Sequence, residues 1–123
     1  MRIFNDQVIF DNNDLSASRQ SEPIYLGHIV NFSVQVVFSG TPNGTFKLQV
    51  SNDMGEIDAQ TRLVQGRGVQ HWTDVADSSF SVTTAGDVFW TVQNIGYRWA
   101  RVVYTAASGS GTIESARANG KGV

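Results

Sequence analysis

The chain has 123 residues, 41% hydrophobic and 16% charged, which is enough apolar material for one packed core and too much for a disordered polymer. Its formal net charge is −2 and its nine basic residues are scattered from Arg2 to Lys121, so the basic stripe that grips a phosphate backbone is absent and nucleic acid is not an expected partner. Cysteine is missing, which excludes disulfide cross-links and thiolate metal sites. No apolar run reaches the roughly 18 residues of a membrane span, and residues 1 to 7 lack the apolar stretch of a signal peptide. A soluble chain with no membrane partner is expected.

Val8-Ile9-Phe10 reads as a short opening strand. Asp11, Asn12, Asn13 and Asp14 follow as a turn, because their side chains bond neighbouring backbone, and residues 16 to 21 are polar. Ile24, Tyr25 and Leu26 lie beside Pro23, whose missing amide donor suits an edge strand. From residue 29 to 38 the chain alternates, with Val30, Phe32, Val34, Val36 and Phe38 on one face and Asn31, Ser33, Gln35 and Val37 on the other. Gly40-Thr41-Pro42-Asn43-Gly44 has turn chemistry and predicts a hairpin into the next strand, residues 44 to 53, where Phe46, Leu48 and Val50 share a face.

Residues 52 to 70 hold three glycines and no sustained alternation, too long a stretch for a plain hairpin loop. They read as an excursion from the scaffold with a short helix around residues 57 to 63. Met54, Glu56, Ile57, Arg62, Leu63 and Arg67 are its candidate partner-contact residues. Short strands are expected at residues 72 to 75, 79 to 83 and 87 to 92, the last with Val88, Trp90 and Val92 as an inward row. An aromatic strand follows over residues 97 to 105, then a flexible connector over 106 to 112 and a final strand over 111 to 116. About eight short strands punctuated by turns predict an all-β chain, an antiparallel β-sandwich of jelly-roll-like form, as a single domain over residues 1 to 123.

Catalytic and metal chemistry find little support. His28 and His71 stand apart from any second ligand or nucleophile, and read as surface or turn residues. Asp53, Glu56 and Asp58 cluster in the excursion without the alternating ligands of a calcium loop, so a solvated loop is the simpler reading. No cofactor, no metal and no enzymatic activity are expected. Trp72, Trp90, Trp99, Tyr97 and Tyr104 are core or interface rings in the plainer reading. In the sharper one, Trp72, Trp99 and Tyr97 form an exposed platform for a sugar. Arg98 and Arg101 have opposite parity and cannot form one same-face clamp on a regular strand.

The stretch Gly44-Thr45-Phe46-Lys47-Leu48-Gln49-Val50-Ser51-Asn52-Asp53, then Trp72-Thr73-Asp74-Val75, Ser78-Ser79, and Tyr97-Arg98-Trp99-Ala100-Arg101-Val102-Val103-Tyr104-Thr105 followed by Ser108-Gly109-Ser110-Gly111-Thr112, resembles small structural proteins of tailed bacteriophages over residues 30 to 123. The excursion at 52 to 70 is longer than the link this resemblance leads one to expect. The resemblance implies a non-enzymatic virion component present in many copies. Its foremost form is a capsid decoration or cement protein that bridges shell subunits through the major capsid protein or other virion proteins, as a homo-oligomer or symmetric multi-copy assembly. A tail or neck component stands second. A carbohydrate-binding module is the rival from another class.

Overall fold

Two long strands organise the molecule. The computed structural model describes residues 3–57, 64–65 and 69–122. Within it β4 (Asn31–Ser51) and β10 (Trp99–Lys121) pair antiparallel from end to end, Ser51 opposite Trp99 and Asn31 opposite Lys121. Phe38 and Phe46 both lie on β4, and along a straight strand eight residues span about 26 Å. Their ring centroids are nevertheless 5.2 Å apart. The strand is therefore doubled over between them, and β10 doubles with it, so one continuous hydrogen-bonded sheet closes into two facing layers.

The corner lies at residues 40–44 and 106–111. Gly40 has φ 85° and Gly109 φ 80°, values that favour glycine. Gly109 faces Pro42 and Gly111 faces Gly40 across the ladder. The predicted hairpin turn at 40–44 is thus corrected: this segment bends a continuous strand, and each half of β4 takes β10 as its partner in place of the other half. The predicted connector at 106–112 is likewise strand, and the expected final strand at 111–116 is its continuation.

Two register shifts, at Ala106/Ser108 and Ile113/Ser115, leave Ala107 and Glu114 as unpaired extra residues in β10. A single bulge would turn every later side chain to the opposite face. The second restores the parity, so Ala100, Val102 and Tyr104 before the corner and Ala116 and Ala118 after it all reach the same core.

The first layer runs β9 (Gly86–Val92), the first half of β4, the second half of β10, and β1 (Ile3–Gln7). In the second, β7 (Thr73–Asp74) and β8 (Phe80–Val82) flank the later half of β4. There β2 (Arg19–Gln20) and β3 (Ile24–Tyr25) flank the earlier half of β10. Phe32, Val34, Val36, Phe38, Val88 and Trp90 from one layer meet Phe46, Leu48, Val102 and Tyr104 from the other in one core. The all-β antiparallel sandwich is therefore observed, and the alternation at residues 29–38 and 44–53 marks its inward faces correctly.

Several boundaries differ from expectation. The opening strand is β1, not residues 8–10, although Val8 and Phe10 are buried. Leu15, inside a polar stretch, is fully buried because the 11–15 turn lies over the corner: Leu15 N–H donates to Gly111 O at 2.8 Å, and Ile113 N–H to Asn13 O at 2.8 Å. The turn uses the predicted side-chain bonds, with Asn12 Oδ1 accepting from Asp14 N–H and Asp14 Oδ1 from Ser16 N–H. In the excursion β5 (Glu56–Ile57) pairs with β6 (Val64–Gln65). Ile57 is thus extended and not the start of a helix, while residues 58–63 lie outside the described residues.

Between β7 and β8 the buried Ser78 replaces a strand residue. Its hydroxyl donates to Val75 O at 2.7 Å and accepts from Leu48 N–H at 3.2 Å, while its carbonyl accepts Trp90 Nε1–H at 2.7 Å. The opposite case is Tyr104, whose ring packs on Phe46 at 4.7 Å and whose buried hydroxyl has no partner among the described residues. Removing an unsatisfied buried hydroxyl relieves a desolvation cost. Tyr104→Phe is therefore expected to leave stability unchanged or raise it by up to about 1 kcal/mol in a denaturant melt. A loss above that size would show that the hydroxyl is bonded in solution.

Candidate interaction surface

The excursion leaves the second layer just after β4 and returns just before β7, and both ends are tied by one side chain. Asp53 Oδ2 accepts Gln70 N–H at 2.8 Å and His71 N–H at 2.9 Å, and His71 Nδ1 lies 3.1 Å from the same oxygen. Trp99 Nε1–H donates to Asp53 O at 3.0 Å, which fixes this clasp to β10. Asp53, read from sequence as part of an acidic cluster, thus closes the loop. Among the described residues no three of His, Cys, Asp and Glu gather as a metal-ligating group.

The two amides, Gln70 first and His71 second, hold the Asp53 carboxyl below its ordinary 3.8. A lowered folded-state pKa favours the charged form. The clasp is therefore at full strength above about pH 4 and is lost as pH falls through the folded value. The expected result is faster amide exchange at Gln70 and His71 below that range, while Asp53→Ala exchanges fast at every pH. Equal protection in Asp53→Ala and the parent at neutral pH would remove the clasp from this account.

Beside the clasp, Met54 is 66% exposed and its Sδ accepts a 2.9 Å contact from Arg98 Nη1. Glu56 and Ile57 stand in β5. Arg62, Leu63 and Arg67 lie outside the described residues. Of the named partner-contact residues, the structure therefore places Met54 at the root of the excursion and the backbone of Glu56 and Ile57 on its short ladder. Clefts of about 460 and 470 Å³ flank this root, and both are lined by Asn52, Gly96 and Tyr97. Burial pushes the Tyr97 hydroxyl up to about 12, and that oxygen has no partner among the described residues.

The tryptophans do not form a common platform. Trp99 is 2% exposed, packed at 5.0 Å against Tyr25, and Trp90 is 5% exposed. Trp90 belongs to the core, while Trp99, on the opposite face of β10 from Ala100 and Val102, is covered beside Tyr25 and the Asp53 carbonyl and offers no face to a ligand. Trp72 is half-buried on the outer face, with the Arg101 guanidinium 4.4 Å from its ring centroid.

Sequence reasoning passed over a polar row on this face. Lys47 Nζ lies 3.2 Å from Asp74 Oδ2, and Gln49 Nε2 donates to Asp74 Oδ1 at 2.7 Å. Arg101 Nε donates to Gln49 Oε1 at 2.9 Å and Arg101 Nη1 to Gln20 Oε1 at 3.1 Å. The row crosses β7, β4, β10 and β2 in order, each side chain held by the next. Burial lowers the Arg101 pKa, though a guanidinium stays charged at physiological pH. The outward parity of Lys47, Gln49 and Arg101 was the sequence signal for this row.

No protein-family model matches the chain, and no curated protein matches it by sequence. Solved structures share its fold. SPBc2 prophage-derived protein YomS superposes with a TM-score of 0.53 at 12% identity, over 98% of this chain and 95% of that one. Chitosan-binding module 1 of a chitosanase/glucanase from Paenibacillus sp. IK-5 gives a TM-score of 0.50 at 14% identity, over 95% and 92%. At these identities the likeness is one of fold.

Proposed function

We propose that the protein is a non-enzymatic structural component of a tailed-phage particle, foremost a capsid decoration protein that grips neighbouring virion subunits through its 54–69 excursion. The observation that carries this reading is the Asp53 clasp. Gln70 and His71 amides bound to a carboxylate at the other end of the loop hold the two ends of the excursion together at one end of the sandwich. Such a presented loop suits docking, since function concentrates on loops held by rigid scaffolds. The fold shared with a prophage-derived protein supports a phage setting. Repetition by symmetry would let many modest contacts act together, and the protein works as one of many copies on the shell or as a homo-oligomer.

Quantitative mass spectrometry of purified particles, scaled to the main shell protein, tests this. Copy numbers in the hundreds support lattice decoration. A dozen or so would move the protein to the tail or neck, and absence from the particle would overturn the virion assignment.

A further inference from the structure

Beside the returning end of the excursion, the outer face of the second layer carries a recess of about 290 Å³ lined by Trp72, Arg101, Gln20, Glu22, Asp11 and Val69, among others. This volume sits at the small end of the roughly 300–1,000 Å³ typical of ligand sites and suits one ring-sized group. Three observations bear on what that group is.

The first is the wall: the Arg101 guanidinium carbon lies over the Trp72 ring, 4.4 Å from its centroid, so the two side chains form one packed unit with the rest of the indole beside it. The indole offers apolar area to the carbon face of a ring. The second is preorganisation. Arg101 spends Nε on Gln49 and one Nη1 bond on Gln20, and Asp74, itself held by Lys47, pins Gln49 in turn. The fork still has N–H groups to give, because a guanidinium carries five. They are aimed by neighbours and lose little freedom on binding.

The third is charge. Asp11 accepts only a long 3.4 Å bond from Gln20 N–H, and the Glu22 carboxylate has no hydrogen bond or ion pair among the described residues. Among the described residues the rim thus holds two carboxylates without a cationic partner against one guanidinium already engaged with neutral amides. An anionic ligand would meet both carboxylates. A ligand with a carbon face, several hydroxyls and an ammonium group matches all three observations.

We propose that the Trp72–Arg101 recess binds an amino-sugar ring of an oligosaccharide, the ring packed against the part of the Trp72 indole that the guanidinium leaves open, its hydroxyls on Arg101 and Gln20, and its ammonium group facing Glu22 and Asp11. Further sugars would run along the Gln49–Asp74 row, since neighbouring strands are spaced by about 4.8 Å. The recess shares Val69 with the end of the excursion, while the side chains proposed to hold the sugar all lie outside residues 54–69.

The test is a fluorescence and calorimetric titration of the whole chain with the linear trisaccharide of glucosamine, beside its N-acetylated form and the corresponding glucose trisaccharide. Trp90 and Trp99 are buried, so a ligand-dependent change in emission reports Trp72. The glucosamine trisaccharide is expected to bind at least about tenfold tighter than the two neutral ones, and more weakly as salt rises. Trp72→Ala should abolish binding with an unchanged circular dichroism melt. Glu22→Gln, at an exposed position, should erase the preference for the amino sugar while keeping residual binding. Equal affinity for all three sugars would overturn the charge argument. Absence of binding, or binding indifferent to both substitutions, would overturn the site.

Discussion

Gly109→Ala is expected to destabilise the protein by about 3–5 kcal/mol and to lower its melting temperature by roughly 10 °C or more. Two effects add. At φ 80° an L side chain is strained, and its Cβ would stand 2.3 Å from Thr41 O, a backbone atom that moves only if the corner itself moves. Gly40 is in the same position, with φ 85° and a Cβ 2.8 Å from the Gly111 Cα. Gly86 and Gly96 are the controls: a Cβ there meets nothing within 4 Å, and neither has a positive φ. Their alanine variants should stay within about 1 kcal/mol of the parent. Paired thermal and denaturant melts decide the matter. If Gly109→Ala loses no more than Gly86→Ala, the corner tolerates a side chain and the strained-bend account fails.

Replacing residues 54–69 by a short glycine-serine link is expected to leave the sandwich folded and to abolish attachment to particles. The fold survives because the ends of the excursion are already held together by Asp53, Gln70 and His71. Among the described residues, every member of the core lies outside the segment. Shortening the loop also lowers its closure entropy, worth about 1 kcal/mol in favour of the folded state. Circular dichroism and a melt check the first half. Co-sedimentation with particles lacking the native protein checks the second, and retained attachment by the shortened chain would sink the excursion as the docking element.

Much of the scaffold is legible in the residues themselves. Period-two runs at 29–38 and 44–53 give the inward rows of β4 because a half-buried strand must alternate. The course of the chain between those runs is not legible from local chemistry. Gly40, Pro42, Asn43 and Gly44 are what a hairpin needs, and they equally suit a folded strand whose partner brings Gly109 and Gly111 to the same place. Two glycine-spaced segments far apart in sequence were the available hint, but their pairing is a long-range fact. Parity likewise set Lys47 and Gln49 opposite the apolar row of β4, whereas the burial of Trp99 required knowing that Tyr25 and the Asp53 carbonyl come to lie against it. Asp53 read as an acid among acids because its partners are backbone amides at 70 and 71, which no composition reveals.

The sharing of β4 and β10 by both layers has a consequence for how the protein comes apart and together. Neither layer contains a strand pair independent of the other, so loss of the central ladder removes the backbone partner of every flanking strand of the sandwich at once. Unfolding in a single cooperative transition follows, with near-uniform exchange protection along β4 and β10. Assembly faces the converse demand: residues 31–51 wait for residues 99–121 before either half of β4 gains its central neighbour. A chain emerging from the ribosome therefore holds long, apolar, unpaired strand edges until the last of these residues is free, and folding is set by that long-range closure in place of local structure.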